Sequence, residues 1–211
     1  MLSRYFTVRQ EAYQHEIIIQ KSRFIAHIKR VETEQEAQEF IQTLKKKYWD
    51  ASHNCSAYMI GENDQIQKAN DDGEPSGTAG VPILEVLKKK KLKDTVVVIT
   101  RYFGGIKLGA GGLIRAYGKA TSEGLDTAGI VERRLVQVIH VKIDYTWLGK
   151  IEKELRDLDY IIKEIHYLDI VKLDVYVDED KVSLFHDWVT EITNGQAVIE
   201  KGETDYLEVQ V

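Results

Sequence analysis

The chain has 211 residues, 43% of them hydrophobic and 30% charged, and a formal net charge of −5 at pH 7. This length allows one large domain or two small ones with a buried core. The only cysteine is Cys55, which excludes intramolecular disulfides, and no window approaches eighteen apolar residues, which excludes a spanning helix. The N-terminal residues lack the pattern of a secretion signal, so the sequence predicts a soluble, cytoplasmic protein.

Charge is unevenly distributed along the chain. Residues 133–211 carry 10 basic and 17 acidic residues, whereas residues 73–119 carry nine basic and three acidic ones. A local excess of positive charge favours anionic partners such as RNA, phosphates or acidic surfaces. The simpler alternative, which charge alone favours, is that solvated lysines keep the protein soluble.

Short strands and helices alternate in the first part of the chain. Thr33 and Glu36 form a capping box that begins a helix ending in Lys45–Lys47. Pro82 suits the first turn of a second helix. The expected strands are 15–20, 24–28, 54–60, 65–69 and 95–101. The expected helices after the first are 79–92 and 113–127, with a loop over 104–112 before the last one.

A second pattern begins near residue 133. Strand, helix, two strands, helix and a final strand or strand pair follow one another over about 75 residues, an order typical of a ferredoxin-like fold. The expected elements are strand 135–145, helix 146–158, strands 160–167 and 170–177, helix 178–193, and strand segments 197–200 and 206–209. The sequence therefore predicts an α+β protein with domains 1–132 and 133–211.

Residues 71–119 contain both prolines and nine of the fifteen glycines. Glycine is costly in regular elements, so this crowding indicates either tight turns or a close approach of backbone to a ligand. A strand, a glycine-rich loop and a helix N-terminus in succession can bind an anion. The predicted anion-, RNA- or partner-binding residues are Arg101, Tyr102, Gly104, Gly105, Lys107, Gly109, Gly111, Gly112 and Arg115. A purely structural role, in turns and close helix–sheet packing, is an equal alternative.

An acidic loop precedes this unit. Its carboxylates could bind Mg²⁺ or act as acid and base, although aspartates in such loops more commonly form turns and caps. We predict that the loop supports the binding site, that there is no metal site and that no cofactor is bound. The supporting residues are Asp71, Asp72, Gly73, Glu74, Pro75, Gly77 and Thr78.

Nucleophilic catalysis is not expected. His53 and Cys55 point to the same face of a predicted strand but are poorly oriented for proton transfer. Ser76 does not lie in a nucleophile-elbow motif. No catalytic residue is therefore assigned.

The stretches Asn70–Pro82 and Thr100–Leu113, together with Lys21–Phe24 and His53–Cys55, resemble the YigZ/IMPACT family in its bacterial two-domain form. The resemblance implies an N-terminal domain like the second domain of ribosomal protein S5. It implies a ferredoxin-like C-terminal domain similar to a domain of elongation factor G. Eukaryotic members resemble translation regulators that compete for the activator of a stress kinase. Their N-terminal RWD domain, which recruits partners, has no counterpart in this sequence. The resemblance therefore implies a binding surface on the shared N-terminal domain alone.

Three functional hypotheses follow, and the sequence does not predict an oligomeric state. The first is a non-enzymatic, translation-associated regulator that binds RNA, the ribosome or a translation-related protein, and no membrane, through a basic glycine-rich groove. The alternative is a Mg-dependent enzyme acting on a phosphate-bearing small molecule, with Asp71, Asp72 and Glu74 holding the ion. An assembly role of the C-terminal domain is a third.

Overall fold

The computed structural model describes all 211 residues. The chain divides into two compact units: residues 5–132 with 209–211 form the N-terminal unit, and residues 133–208 with 1–4 form the C-terminal unit. None of the five helices combines the length and apolar character that crossing a membrane requires.

The N-terminal unit is built on a fully antiparallel sheet. Its strands are β2 (Tyr13–Ile19), β3 (Ser22–Arg30), β4 (His53–Ile60), β5 (Ile66–Asn70) and β6 (Thr95–Tyr102). They lie in the order β2-β3-β6-β4-β5. Strand β6 is buried along nearly its whole length, which is the pattern of a strand covered on both faces.

Helices cover both faces of this sheet. Helix α1 (Glu34–Lys47) packs on one face, and α2 (Gly80–Lys89) and α3 (Gly109–Ala128) pack on the other. Side chains alternate along a strand, so Val96 and Val98 face α1 while Val97 and Ile99 face α2 and α3. This alternation decides which strand residues can reach a site beside α3.

The start of α3 differs from the prediction. The helix begins at Gly109 rather than Leu113, so three glycines expected in a loop lie in its first turn. Glycine costs about 1 kcal/mol relative to alanine in a helix, but a buried stripe further along, including Leu113 and Tyr117, offsets this. Likewise Ser22 and Arg23, expected to interrupt a strand, belong to β3, because the preceding turn is made by residues 20 and 21 with positive φ.

The C-terminal unit has the predicted ferredoxin-like order. Its elements are β7 (Ile130–Ile143), α4 (Tyr145–Asp157), β8 (Ile161–Tyr167), β9 (Val171–Asp178), a 3-10 turn at Glu179–Lys181, α5 (Val182–Ile192) and β10 (Val198–Gln210). Within this unit β7 pairs with β9 and β10, and β9 pairs with β8. Strand β1 (Arg4–Val8) belongs from Tyr5 onward to the N-terminal unit. Helices α4 and α5 pack against one face of β7 and β9. The predicted α+β fold class is confirmed, although the last strand is one continuous strand rather than a pair.

His27 gives the N-terminal unit a dependence on pH. It is 4% exposed beside Tyr48, and its Nε2 atom has no hydrogen-bond partner. Burial, with a smaller contribution from the charge of Lys47, lowers the pKa of His27 to about 4. The unfolded chain therefore takes up a proton that the folded chain excludes, and stability falls as the pH drops below about 6.5 toward 4.

We expect the free energy of unfolding to fall by about 2 kcal/mol from this residue alone between about pH 7.5 and about pH 5. Urea unfolding at the two pH values measures it. His27→Phe keeps an aromatic ring beside Tyr48 and removes the titrating group. The free energy of unfolding of this variant should therefore fall by about 2 kcal/mol less between the two pH values. An equal loss in both proteins would contradict this account.

Candidate functional site

The loop that contains the first glycine cluster is bonded internally. The carboxylate of Asp71 accepts hydrogen bonds from the backbone N–H groups of Gly77 (2.8 Å), Ala79 (3.0 Å) and Gly80 (2.8 Å). Burial alone would raise the pKa of Asp71, but these three bonds outweigh burial and hold it below its usual value. Asp71 therefore occupies the amides of Ala79 and Gly80 at the N-terminus of α2, and these two amides are not available to a ligand.

Asp72 is also engaged within the chain. One carboxylate oxygen accepts from Lys45 Nζ at 2.5 Å, and the other accepts from the backbone N–H of Asn54 at 2.6 Å. Its φ of 46° places the loop backbone in the left-handed region that aspartate tolerates. The acidic loop is thus a turn that ties α1, β4 and α2 together.

A buried ion pair lies beneath this loop. Arg101 Nη1 donates to Glu74 Oε1 at 2.6 Å, with side chains 6% and 4% exposed. Tyr117 Oη donates to the same oxygen at 2.8 Å. The guanidinium also lies 5.3 Å from the centre of the Phe24 ring and 3.4 Å from Ser22 Oγ. Arg101 was predicted to contact an anion directly, but the structure places it in this pair.

His53 and Cys55 border the same cluster. Cys55 Sγ lies 3.0 Å from the Asp71 carbonyl oxygen and 3.3 Å from Tyr117 Oη. Burial raises the pKa of the Cys55 thiol to about 12, so the thiolate that a nucleophile requires is disfavoured. His53 Nδ1 is 2.8 Å from the Asp72 carbonyl oxygen, and its Nε2 is 3.8 Å from Glu74 Oε2. In these contacts His53 does not bond the Cys55 thiol, so the two residues do not form a nucleophile with its general base.

The loop after β6 approaches the sheet too closely for a side chain. A Cβ on Gly104 would lie 2.1 Å from the backbone carbonyl atoms of Lys21, and the Gly104 N–H donates to Ser22 Oγ. Gly105 has a φ of 84° and Gly109 a φ of 68°, conformations that glycine adopts without strain. Close backbone approach at Gly104 and positive φ at Gly105 and Gly109 therefore explain these three glycines without a ligand.

The beginning of α3, in contrast, is open. The N-cap residue Leu108 makes no side-chain capping bond. The first N–H groups of a helix have no partner within it, and those of Gly109, Ala110 and Gly111 have no other acceptor in the chain. Lys107 is exposed and forms no ion pair. Free amides and a free ammonium group therefore adjoin one another.

Of these residues, Lys107, Gly109 and Ala110 line a recess of about 450 Å³. Phe103, Leu108 and Leu113 form apolar parts of its wall. Ser52, His53, Lys107 and the Glu74–Arg101 pair supply polar groups. We call this space, bounded by the β6–α3 loop and the start of α3, the α3 recess.

Other predicted residues lie outside the α3 recess. Tyr102 alternates to the α1 face of β6, where its hydroxyl donates to Asp50 at 2.9 Å. Arg115 is exposed on the second turn of α3 and reaches back toward the first turn, since a Cβ on Gly111 would lie 3.5 Å from its Nη1. Gly73 and Thr78 serve the acidic loop: Gly73 has a φ of 88°, and the Thr78 hydroxyl donates to the Pro75 carbonyl.

Sequence reasoning missed several residues of this region. Ser22 and His53 occur in the short stretches that carry the family resemblance, and this was the available signal for them. Tyr117 had no local signal beyond helical spacing. Phe103, by contrast, adjoins Arg101 in the sequence and was a candidate for stacking on a base or a partner side chain; its ring centre lies 5.6 Å from the Arg101 guanidinium.

Comparisons with known proteins agree with this architecture. A family model described as the Impact N-terminal domain matches residues 20–125, and one described as a domain of unknown function (DUF1949) matches residues 141–196. A solved structure described as a hypothetical protein superposes with a TM-score of 0.61 and 28% identity, covering 96% of this chain and 99% of that one.

Two relatives carry the family name. The Bacillus subtilis protein named IMPACT family member YvyE is 65% identical over 211 residues, covering 100% of this chain and 97% of its own. The Escherichia coli protein named IMPACT family member YigZ is 32% identical over 179 residues, covering 84% and 88%. The resemblance inferred from the sequence motifs is confirmed, and the chain belongs to the IMPACT family.

Proposed function

We propose that the protein is a non-enzymatic, translation-associated binding protein of the cytoplasm, and that the α3 recess receives a phosphate group of RNA, with ribosomal RNA as the expected source. The observation that carries the proposal is the open start of α3, where Gly109 and Ala110, whose amides have no acceptor, line the same recess as Lys107, which forms no ion pair.

Electrostatics favour an anion at this position. A helix N-terminus acts as about half a positive charge, and its first N–H groups have no acceptor within the helix. The contrast with α2 sharpens the argument, because there the Asp71 carboxylate already occupies the equivalent position. The chain fills one helix N-terminus with its own anion and leaves the other open.

The rim of the recess also suits a nucleic acid. Phe103, which forms part of the recess wall, is 50% exposed. An exposed aromatic ring beside a phosphate site offers a surface on which an unpaired base can stack. Arg115, exposed on the next turn of α3, can contact a neighbouring phosphate.

The Mg-dependent alternative has less support. A hard cation needs several free oxygen ligands converging on one point. Asp71 is bonded to three amides, Asp72 to Lys45 and an amide, and Glu74 to Arg101 and Tyr117. An ion at this loop would compete with these partners, because only Glu74 Oε2, 3.8 Å from His53 Nε2, has no hydrogen bond.

We predict that Lys107→Ala combined with Arg115→Ala weakens binding to a fluorescently labelled ribosomal RNA hairpin by about tenfold at moderate salt and lowers the slope of log K against log salt by about 2. The reason is the loss of two phosphate contacts. Fluorescence anisotropy between about 50 and about 200 mM salt measures both quantities.

The matched control is Lys46→Ala combined with Lys89→Ala. It removes the same charge from two exposed lysines, which lie at the end of α1 on the opposite sheet face and at the end of α2. The control should bind nearly as the natural sequence does. Equal weakening by both pairs would reduce the effect to net charge, and absence of binding at low salt would reject the proposal.

A further inference from the structure

A cluster of metal-ligating side chains lies in the C-terminal unit, on the sheet face opposite α4 and α5. Asp174 of β9 pairs in register with Glu164 of β8, and His166 follows two residues after Glu164 on the same face. A β-bulge between Ile162 and Glu164 shifts the alternation of β8, so Ile162 and Ile165 both pack toward the helices.

The ligand atoms of this cluster converge. One ligand atom each from Glu164, His166 and Asp174 lies within 4.8 Å of the other two. His166 Nε2 is 2.9 Å from Asp174 Oδ2 and 3.8 Å from Glu164 Oε2. Ligands of a tetrahedral zinc ion are roughly 3.4 Å apart, given metal–ligand bonds near 2.1 Å. The Glu164 side chain is 63% exposed and can make the small adjustment required.

Asp174 is held in place from its other side. Its Oδ1 accepts from His140 Nδ1 at 2.6 Å and lies 3.2 Å from Lys172 Nζ, while its side chain is only 11% exposed. Burial acts to raise the pKa of Asp174, but the bonds from His166, His140 and Lys172 outweigh it and lower the pKa to about 2. The carboxylate is therefore ionised and oriented, as metal-binding carboxylates usually are by their outer contacts.

We propose that Glu164, His166 and Asp174 bind a divalent transition-metal ion such as Zn²⁺, with His140 as a positioning residue. One imidazole and two carboxylates are a suitable ligand set for zinc and leave a fourth position for water or a partner's ligand. Binding requires that His166 Nε2 give up the proton it donates to Asp174, which leaves to solvent or moves to Nδ1. Lys172 opposes the ion through its charge and limits the affinity.

Isothermal titration calorimetry with ZnCl₂ on the full chain tests this site. We expect one saturable site per chain and a loss of affinity of about tenfold or more in Glu164→Gln and in His166→Gln. The matched control is His186→Gln, since His186 is an exposed residue of α5, 3.8 Å from the Asp187 carboxylate and outside the cluster. This control should bind as the natural sequence does.

A second measurement protects the test against misfolding of a variant. In the natural sequence, saturating Zn²⁺ should shift the Nε2 resonance of His166 in a nitrogen-15 NMR spectrum and leave those of His186 unchanged. Absence of saturable binding, unchanged affinity in His166→Gln, or an unmoved His166 resonance would overturn the proposal and indicate an adventitious ion only.

Discussion

Arg101→Met is expected to lower the free energy of unfolding by about 3–5 kcal/mol, because removing one partner of a buried ion pair leaves the other charge uncompensated. Glu74 would keep only the Tyr117 hydroxyl at hydrogen-bond distance, in a position where its side chain is 4% exposed. Urea unfolding followed by circular dichroism measures the change. For the same reason, an alanine substitution at Arg101 would report on folding and could not be used as a test of ligand binding.

The control for this prediction is a second Arg–Glu pair in the same unit. Arg23 donates to both carboxylate oxygens of Glu16, at 3.0 and 2.9 Å, but the side chains are 49% and 35% exposed. Solvent screens such a pair, so Arg23→Met should change stability far less than Arg101→Met. Similar effects of the two substitutions would contradict the assignment of Arg101 to a buried structural pair.

Gly104→Ala is expected to destabilise the protein by about 3 kcal/mol. The added methyl group would lie 2.1 Å from the carbonyl carbon and oxygen of Lys21 and 2.5 Å from the nitrogen of Ser22. These are backbone atoms of the β2–β3 turn, so no side-chain rotation can relieve the overlap. Thermal and urea unfolding report the loss.

Gly118→Ala is the matched control, because we expect it to raise the free energy of unfolding rather than lower it. Gly118 lies inside α3, and a Cβ there would meet no atom within 4 Å. Alanine should therefore stabilise the helix by about 0.5–1 kcal/mol. If Gly104→Ala were neutral, or if both variants were destabilised alike, glycine at 104 would not be explained by close backbone approach.

Local chemistry made part of this fold predictable. Thr33 caps α1 by accepting from the Glu36 N–H at 3.2 Å, as the capping box indicated, although Glu36 returns its bond to Glu32 rather than to Thr33. The order of strands and helices in the C-terminal unit could be predicted from the spacing of its apolar residues alone. These features depend on residues close in sequence, which is why pattern is informative about them.

The site was less predictable because its contacts join distant residues. Arg101 and Glu74 are 27 positions apart, and nothing local indicates that their charges meet in a buried position. A glycine also looks the same in sequence whether it permits close approach, as Gly104 does, or positive φ, as Gly105 does. Strand β6 did contain one usable signal. Because side chains alternate along a strand, Arg101 and Tyr102 must lie on opposite faces of the sheet and cannot belong to one site.

The most direct test of the proposed function is the response of the α3 amides to RNA. In nitrogen-15 NMR spectra, adding a ribosomal RNA hairpin should shift the resonances of Gly109, Ala110 and Gly111 most strongly. The amides of Gly77 and Gly80, which are bonded to Asp71, should move little. Shifts confined to other surfaces, with the three α3 amides unmoved at saturating RNA, would contradict the account.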